Sequence, residues 1–371
     1  MNDIDLSKFK WGIEHEFPAL NAAGEFCDFS NTTYEDFDRV IQAMPTFESD
    51  YPGLRVGDLG IKSKRWYIEG FERFSETGEY LRTDIKGFEI RTPICNSLSE
   101  AIATLKHDFS QWEIVAGRYG FTAASVAFNP FQEEFVPTPP LNAWEVEHRR
   151  TPEERTAYIH MLTSGPDISF SHPDLTAADA IAIGQKLTYY SPFIIPFTYS
   201  SPFYKGGLWG GLSRRTFYRT GKRPAVLVFV GDDADLIKSS PTLTDKARLP
   251  AEIGRIEFKA FDTIADLSLY HSLGALLLGI ALDSTLQGRA LVPDQNLHQH
   301  SATHGFSDAM IRNTTEDILD AAERVLPSEF HGALARLRRM LESRRSQANA
   351  MIDQFTQTNS ILSAIKPEVY E

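Results

Sequence analysis

The chain has 371 residues, a formal net charge of −13 and 42% hydrophobic residues, which suits one large globular domain or two ordinary ones. The acidic balance argues against nucleic acid or an anionic membrane surface as the main partner, without excluding a local basic pocket. The two cysteines, Cys27 and Cys95, are too few for a disulfide framework, residues 1–8 carry no apolar signal-peptide run, and the longest apolar run, 273–282, is about half of the roughly 20 residues a membrane span needs. A cytoplasmic protein is expected.

Residues 11–17 read as a strand, with Glu14 and Glu16 on one face. Ile13 and Phe17 point into a core, and His15 shares that apolar side at its rim. Residues 21–52 are loop-rich, with a short acidic helix near 34–44, and 54–83 suggest hairpins. Residues 84–92 repeat the first strand's plan: Phe88 and Ile90 inward, Glu89 and Arg91 outward. Ser97 and Glu100 form a capping box, in which the Glu reaches back to the cap N–H. The helix it opens carries Leu98, Ile102, Leu105, Phe109, Trp112 and Ala116, and Gly120 follows as its C′ residue.

A strand is expected over 121–128, broken by Asn129-Pro130-Phe131. A rigid loop follows at 137–140. Thr151 caps a helix with Pro152 at its first position, and 176–188 form a second one. The aromatic and proline-rich stretch 189–204 leads to Gly206-Gly207 and Gly210-Gly211. Arg214, Arg215, Arg219, Lys222 and Arg223 follow, and this pattern reads as an anion site or as a solvated surface loop. After a short apolar strand at 225–230, residues 255–261 give a third strand of the same plan: Ile256 and Phe258 inward, Arg255, Glu257 and Lys259 outward. Thr263 to Asp266 cap a long helix running to about 286. The rest is helical, 313–326 and then 329 to about 355, with Arg336, Arg338, Arg339, Arg344 and Arg345 spread around the last helix as a solvated face.

If the three similar strands lie in one sheet, its open face mixes carboxylates with cations. A face that only needs to be soluble has no reason to do so, whereas one that holds divalent metal and phosphate together does. His300 and His304, one helical turn apart, are the other candidate metal pair, and would make the chain a metal-dependent hydrolase. No Walker, dinucleotide-binding or nucleophile-elbow pattern is present.

The motifs taken together resemble the glutamate–cysteine ligase family, in its bacterial carboxylate–amine ligase branch. Gly12-Ile13-Glu14-His15-Glu16-Phe17 is similar to that family's G-x-E-x-E-F opening. Glu89-x-Arg91-Thr92-Pro93 resembles its second signature, Ser200-Ser201-Pro202-Phe203 with Arg215 its S-S-P-[FY] and S-x-R stretch, and Glu257-x-Lys259-x-x-Asp262 its E-x-R-x-x-D strand. Asn296 and Gly305 match a weaker late motif. The resemblance implies an α+β fold: a curved, mainly antiparallel sheet forming a funnel-shaped active site, with helices on its outer face. It implies residues 1–310 as catalytic domain and 311–371 as a helical extension packed on that domain.

By the same resemblance, ATP and Mg²⁺ are the cofactors. A small carboxylate such as glutamate is phosphorylated and then attacked by an amine acceptor. Glu14, Glu16, Glu89, Asn129 and Glu257 become metal-site candidates. Arg91, Arg215 and Lys259 become candidates for phosphate or substrate carboxylate, and Arg214, Arg215 and Arg219 for nucleotide. Asn129 stands where the family has histidine, Lys259 where it has arginine, and the run His298–His304 where it has Lys or Arg. These departures leave open a ligase using an amine other than cysteine, or a degenerate ligase that binds nucleotide or regulates. A homo-oligomer formed through the C-terminal helices is also open.

Overall fold

The structure, a computed structural model, describes residues 4–53, 64–149 and 152–366. The Thr151 cap and much of the first hairpin region lie outside these residues. The strands are β1 (Lys10–Phe17), β2 (Ala19–Leu20), β3 (Trp66–Phe74), β4 (Tyr80–Arg91), β5 (Thr122–Ala123), β6 (Asp167–Ser171), β7 (Phe203–Tyr204), β8 (Gly207–Leu208), β9 (Val226–Val230), β10 (Thr244–Lys246) and β11 (Ile256–Phe258). Seven of them make one curled sheet in the order β10-β9-β11-β6-β1-β4-β3. Every neighbouring pair is antiparallel except β9 and β10. The fold is α+β, with helices packed on one side of the sheet.

Alternation along β1 decides the two faces. Trp11, Ile13 and Phe17 are buried, and His15 joins them at 2% exposure. His15 is therefore inside the core and not at its rim; its Nδ1 lies 2.7 Å from the Tyr270 hydroxyl, and burial drives its pKa down to about 3. The Leu98–Arg118 helix packs against this side of β1, and Ala177–Ile194 against β9. One hydrophobic core joins these helices to Leu269–Leu282, Ala309–Val325 and His331–Ser343. Among the described residues no helix is long and apolar enough to cross a membrane.

Several elements end elsewhere than the sequence suggests. Glu100 accepts the N–H of Asn96 at 2.7 Å, one residue before the Ser97 cap. The helix beginning at Ala177 runs through Pro192 to Ile194, because Ser191 Oγ donates to the Thr188 carbonyl at 2.7 Å, the acceptor that Pro192 cannot serve. Thr263 is no helix cap: its hydroxyl donates to the Glu16 carbonyl at 2.7 Å, and the long helix starts only at Leu269. The last long helix is two, Gln347–Thr358 following a break at Arg344, whose φ is 57°. The 121–128 stretch keeps only β5 as strand, because Ser125 N–H goes instead to the Ile365 carbonyl.

β3 and β4 slip register between Glu69, which pairs with Gly87, and Gly70, which pairs with Ile85. Lys86 is the extra residue of this bulge, and the bulge turns it onto the Glu89 face. Gly87 sits where β1 crosses: a Cβ there would lie 2.6 Å from the Phe17 carbonyl oxygen. Gly87→Ala is expected to cost about 1–3 kcal/mol, read as a lower urea midpoint at unchanged slope. An unchanged midpoint would mean that the two strands can part without loss.

Candidate active site

Registers collect the charged residues of the three similar strands on the face opposite the long helices. Glu14 pairs with Arg91 and Glu16 with Glu89 across β1 and β4. Glu14 also pairs with Asp167 across β6, Ser169 pairs with Glu257 across β11, and Tyr67 pairs with Glu89 across β3. Residues facing each other across antiparallel strands share a face. Glu14, Glu16, Glu69, Glu89, Asp167 and Glu257 thus face the same side of one sheet.

The carboxylates fall into two clusters. In the first, Lys86 Nζ is 3.0 Å from Glu16 Oε2, and His160 Nε2 is 2.5 Å from Glu69 Oε2. His160 Nδ1 lies 3.6 Å from Glu16 Oε1 and 3.2 Å from Lys86 Nζ. Burial and the Lys86 charge push the imidazole pKa down, so near neutrality Nε2–H donates to Glu69, while Lys86 Nζ stands 3.2 Å from both ring nitrogens. Burial would push the Glu16 carboxyl up, but Lys86 and His160 more than offset it and hold it below the usual range. Glu16 Oε2 also accepts the Gly165 N–H at 3.0 Å.

The second cluster centres on Glu257. Lys259 Nζ is 2.6 Å from its Oε1 and also bonds Asp167, while Arg255 Nη2 is 3.2 Å from its Oε2. Burial opposes ionisation of Glu257, yet Lys259 and Arg255 bring its pKa down to about 2. Asp167 goes the other way, to about 7, because burial and the Glu257, Glu14 and Glu16 charges outweigh Lys259. Glu14, paired with Asp167, stands between the clusters, and the buried Glu89 stands opposite Glu16. Arg91 lies beside them, its guanidinium carbon 5.1 Å from the Tyr67 ring centroid.

The other sequence candidates are placed differently. Asn129 Oδ1 accepts the N–H groups of Phe131 and Gln132 at 2.9 and 3.0 Å, and its Nδ2 donates to Asp28. Its amide is spent on the loop it starts. Arg215 donates to the carbonyls of Lys259 and Ala260, both at 3.1 Å, and so clamps the chain leaving β11. Arg219 donates to the Pro224 carbonyl at 2.6 Å. Arg214 lies 4.2 Å over the Tyr204 ring, with Phe217 at 5.5 Å. Asp262 is fully buried and takes bonds from Ser200 N–H and the Ser201 and Ser213 hydroxyls. It ties the serine-rich stretch to β11, so the spacing of that motif serves architecture. His300 pairs with Asp308 at 2.9 Å.

Sequence reasoning missed Glu69, Lys86, His160 and Asp167. Strict alternation puts Lys86 opposite Glu89, and only Gly87 hints at the bulge that reverses it. Asp167-Ile168-Ser169-Phe170 carries a readable strand pattern. His160 sits on a four-residue helix, Ala157–His160, too short to leave a periodic signal.

Ligand atoms of Glu16, Glu69 and His160 lie within 4.8 Å of one another. Clustered carboxylate oxygens suit a hard divalent cation, and a neutral imidazole is a compatible ligand. The carboxylate oxygens fit Mg²⁺, whereas the imidazole is a ligand of transition metals, and Lys86 already places one ammonium 3.0 Å from Glu16.

No family model matches the sequence, and no curated protein matches it. Among solved structures, the chain is similar to the glutamate–cysteine ligase of Francisella tularensis in complex with AMP, at a TM-score of 0.58 and 10% identity, over 98% of this chain and 89% of that one. It is also similar to a bifunctional glutathione synthetase from Pasteurella multocida, at a TM-score of 0.54 and 13% identity, over 97% of this chain and 52% of that one. The chain thus spans about half the length of the second protein. At such identities the likeness is one of fold.

Proposed function

We propose that the chain is an ATP- and Mg²⁺-dependent carboxylate–amine ligase that forms an amide through an acyl phosphate. The observation that carries this reading is the face shared by Glu14, Glu16, Glu89, Asp167 and Glu257, interleaved with Lys86, Arg91, Arg255 and Lys259. The fold likeness to a ligase solved with AMP agrees with it. A carboxylate is a poor electrophile until its oxygen accepts the γ-phosphoryl group of ATP, releasing ADP. The amine nitrogen then bonds the acyl carbon as the C–O bond to phosphate breaks, and phosphate leaves. Glu16, Glu69 and His160, with Glu14, Glu89 and Glu257 along the same face, would hold Mg²⁺ ions, which supply neutralisation of the triphosphate. Arg91 and Lys259 would hold the phosphoryl oxygens or the substrate carboxylate, and Arg214 would lie near the nucleotide. Arg215 and Arg219 would act by fixing the backbone beside it. Residues 311–366, which share the cores of the sheet and of the 351–365 segment, would complete the same domain.

The test is ADP release by the full chain with a panel of acids and amines. Turnover should appear with at least one pair and fall to background when Mg²⁺ is chelated. No release with any pair, from folded protein, rejects the reading. A degenerate, nucleotide-binding ligase is the second reading, favoured by the commitment of Asn129 to its loop. Calorimetry that finds Mg-ATP binding without any turnover selects it.

A further inference from the structure

Beyond the first carboxylate cluster, at the β3 edge of the sheet, lies a cavity of about 330 Å³. Phe71, Phe135, Val136, Leu141 and Tyr158 supply its apolar lining, and Arg149, Glu154 and Arg155 its charged groups. Phe71 stands two residues beyond Glu69 on β3 and so on the same face of that strand. Two residues of strand span about 7 Å, so cavity and carboxylates are one small molecule apart. The walls are largely apolar. Phe71 and Phe135 meet at 5.1 Å between centroids with their planes tilted by 54°, while Val136 and Tyr158 stay 61% and 38% exposed. Arg149 keeps its positive charge, with its Nε buried and unpartnered. Its guanidinium lies flat on Phe71 at 3.9 Å and donates to the carbonyls of Glu154 and Glu72. An apolar cavity of about 150 Å³ already holds benzene. This one has room for a ring or a branched chain.

We propose that this cavity seats the apolar body of the acid that is activated, and that the donor is an aromatic or branched aliphatic carboxylic acid and not glutamate. The proposal rests on the ligase reading for its reaction, though not for its binding. With its ring in the cavity, such an acid two or three carbons long brings its carboxylate to Glu16, Glu69 and His160, where the phosphoryl group would be received. Polar donors such as glutamate would leave these walls in contact with water and lose the gain of burying them.

The test is calorimetry on the full chain with Mg²⁺ and a non-hydrolysable ATP analogue, using 3-phenylpropionate and L-glutamate as probes. The phenyl acid should bind at least ten-fold more tightly. Leu141→Trp should weaken it at least ten-fold by filling the space, and Val136→Trp, at an exposed position, should do so without entering the core. Glutamate binding as tightly as the phenyl acid, or phenyl acid binding unchanged in both variants, overturns the proposal. Binding that follows these expectations without ADP release from any acid and amine overturns the ligase reading and leaves the cavity assignment standing.

Discussion

Glu16→Gln is expected to lower ADP release by about 10²–10³-fold or more and to weaken Mg-ATP binding, with the fold retained. The glutamine keeps the size of the side chain and loses its charge. Three groups converge on that carboxylate: the Lys86 ammonium at 3.0 Å, the Gly165 N–H at 3.0 Å and the His160 ring at 3.6 Å. An amide oxygen can still accept from Gly165, so the loop after His160 stays in place. What disappears is the negative charge that holds Lys86, itself 4% exposed, and that would hold a divalent cation. Some stability goes with it, because a buried ammonium loses one of its partners. The distinguishing readout is therefore a pair: turnover collapses while a cooperative melting transition survives. Normal turnover in this variant would remove Glu16 from the site, and an unfolded chain would mark its role as structural.

The strand pattern made the frame of this site legible. Alternation in 11–17, 84–92 and 255–261 assigns faces to Glu14, Glu16, Glu89 and Glu257, and the sheet registers put those faces side by side. What lay beyond reach depends on contacts without a local period. Lys86 changes sides through a one-residue bulge. His160 arrives on a short helix from a loop, and Asp262 turns a motif that looks chemical into a buried tie between Ser200, Ser201 and Ser213. Helix ends were misread for a related reason. Pro192 should stop a helix and does not, because the preceding serine hydroxyl serves the orphaned carbonyl. Such substitutions of one donor for another are invisible until the fold brings the atoms together.

Arg73→Ala is expected to cost about 3–5 kcal/mol of stability at neutral pH, because it leaves a buried carboxylate without its cation. Arg73 and Glu145 are 4% and 1% exposed. Arg73 Nε and Nη2 meet the two Glu145 oxygens at 2.7 and 3.2 Å, and the N–H groups of Phe74 and Asn142 each add a bond at 3.0 Å. Burial alone would raise the Glu145 pKa, but Arg73 and these two N–H groups outweigh it and bring it down to about 2 from 4.5. A carboxyl whose folded pKa is depressed stabilises the fold above its unfolded value and loses that contribution as pH falls. The difference corresponds to about 3 kcal/mol, fully present above about pH 5 and lost progressively between about pH 4.5 and pH 2. Urea denaturation of wild type and variant at pH 7, 4 and 2.5 should show a wide gap that narrows with acid. The same pair fastens the Ala143–His148 helix, and hence the loop from 135 to 149 that walls the cavity, to the end of β3. Arg73→Ala should therefore weaken 3-phenylpropionate binding even under conditions where the chain remains folded. A variant that denatures at the wild-type urea concentration would show that the loop is held by its apolar contacts, chiefly Phe71 against Phe135, and that the ion pair adds nothing to them.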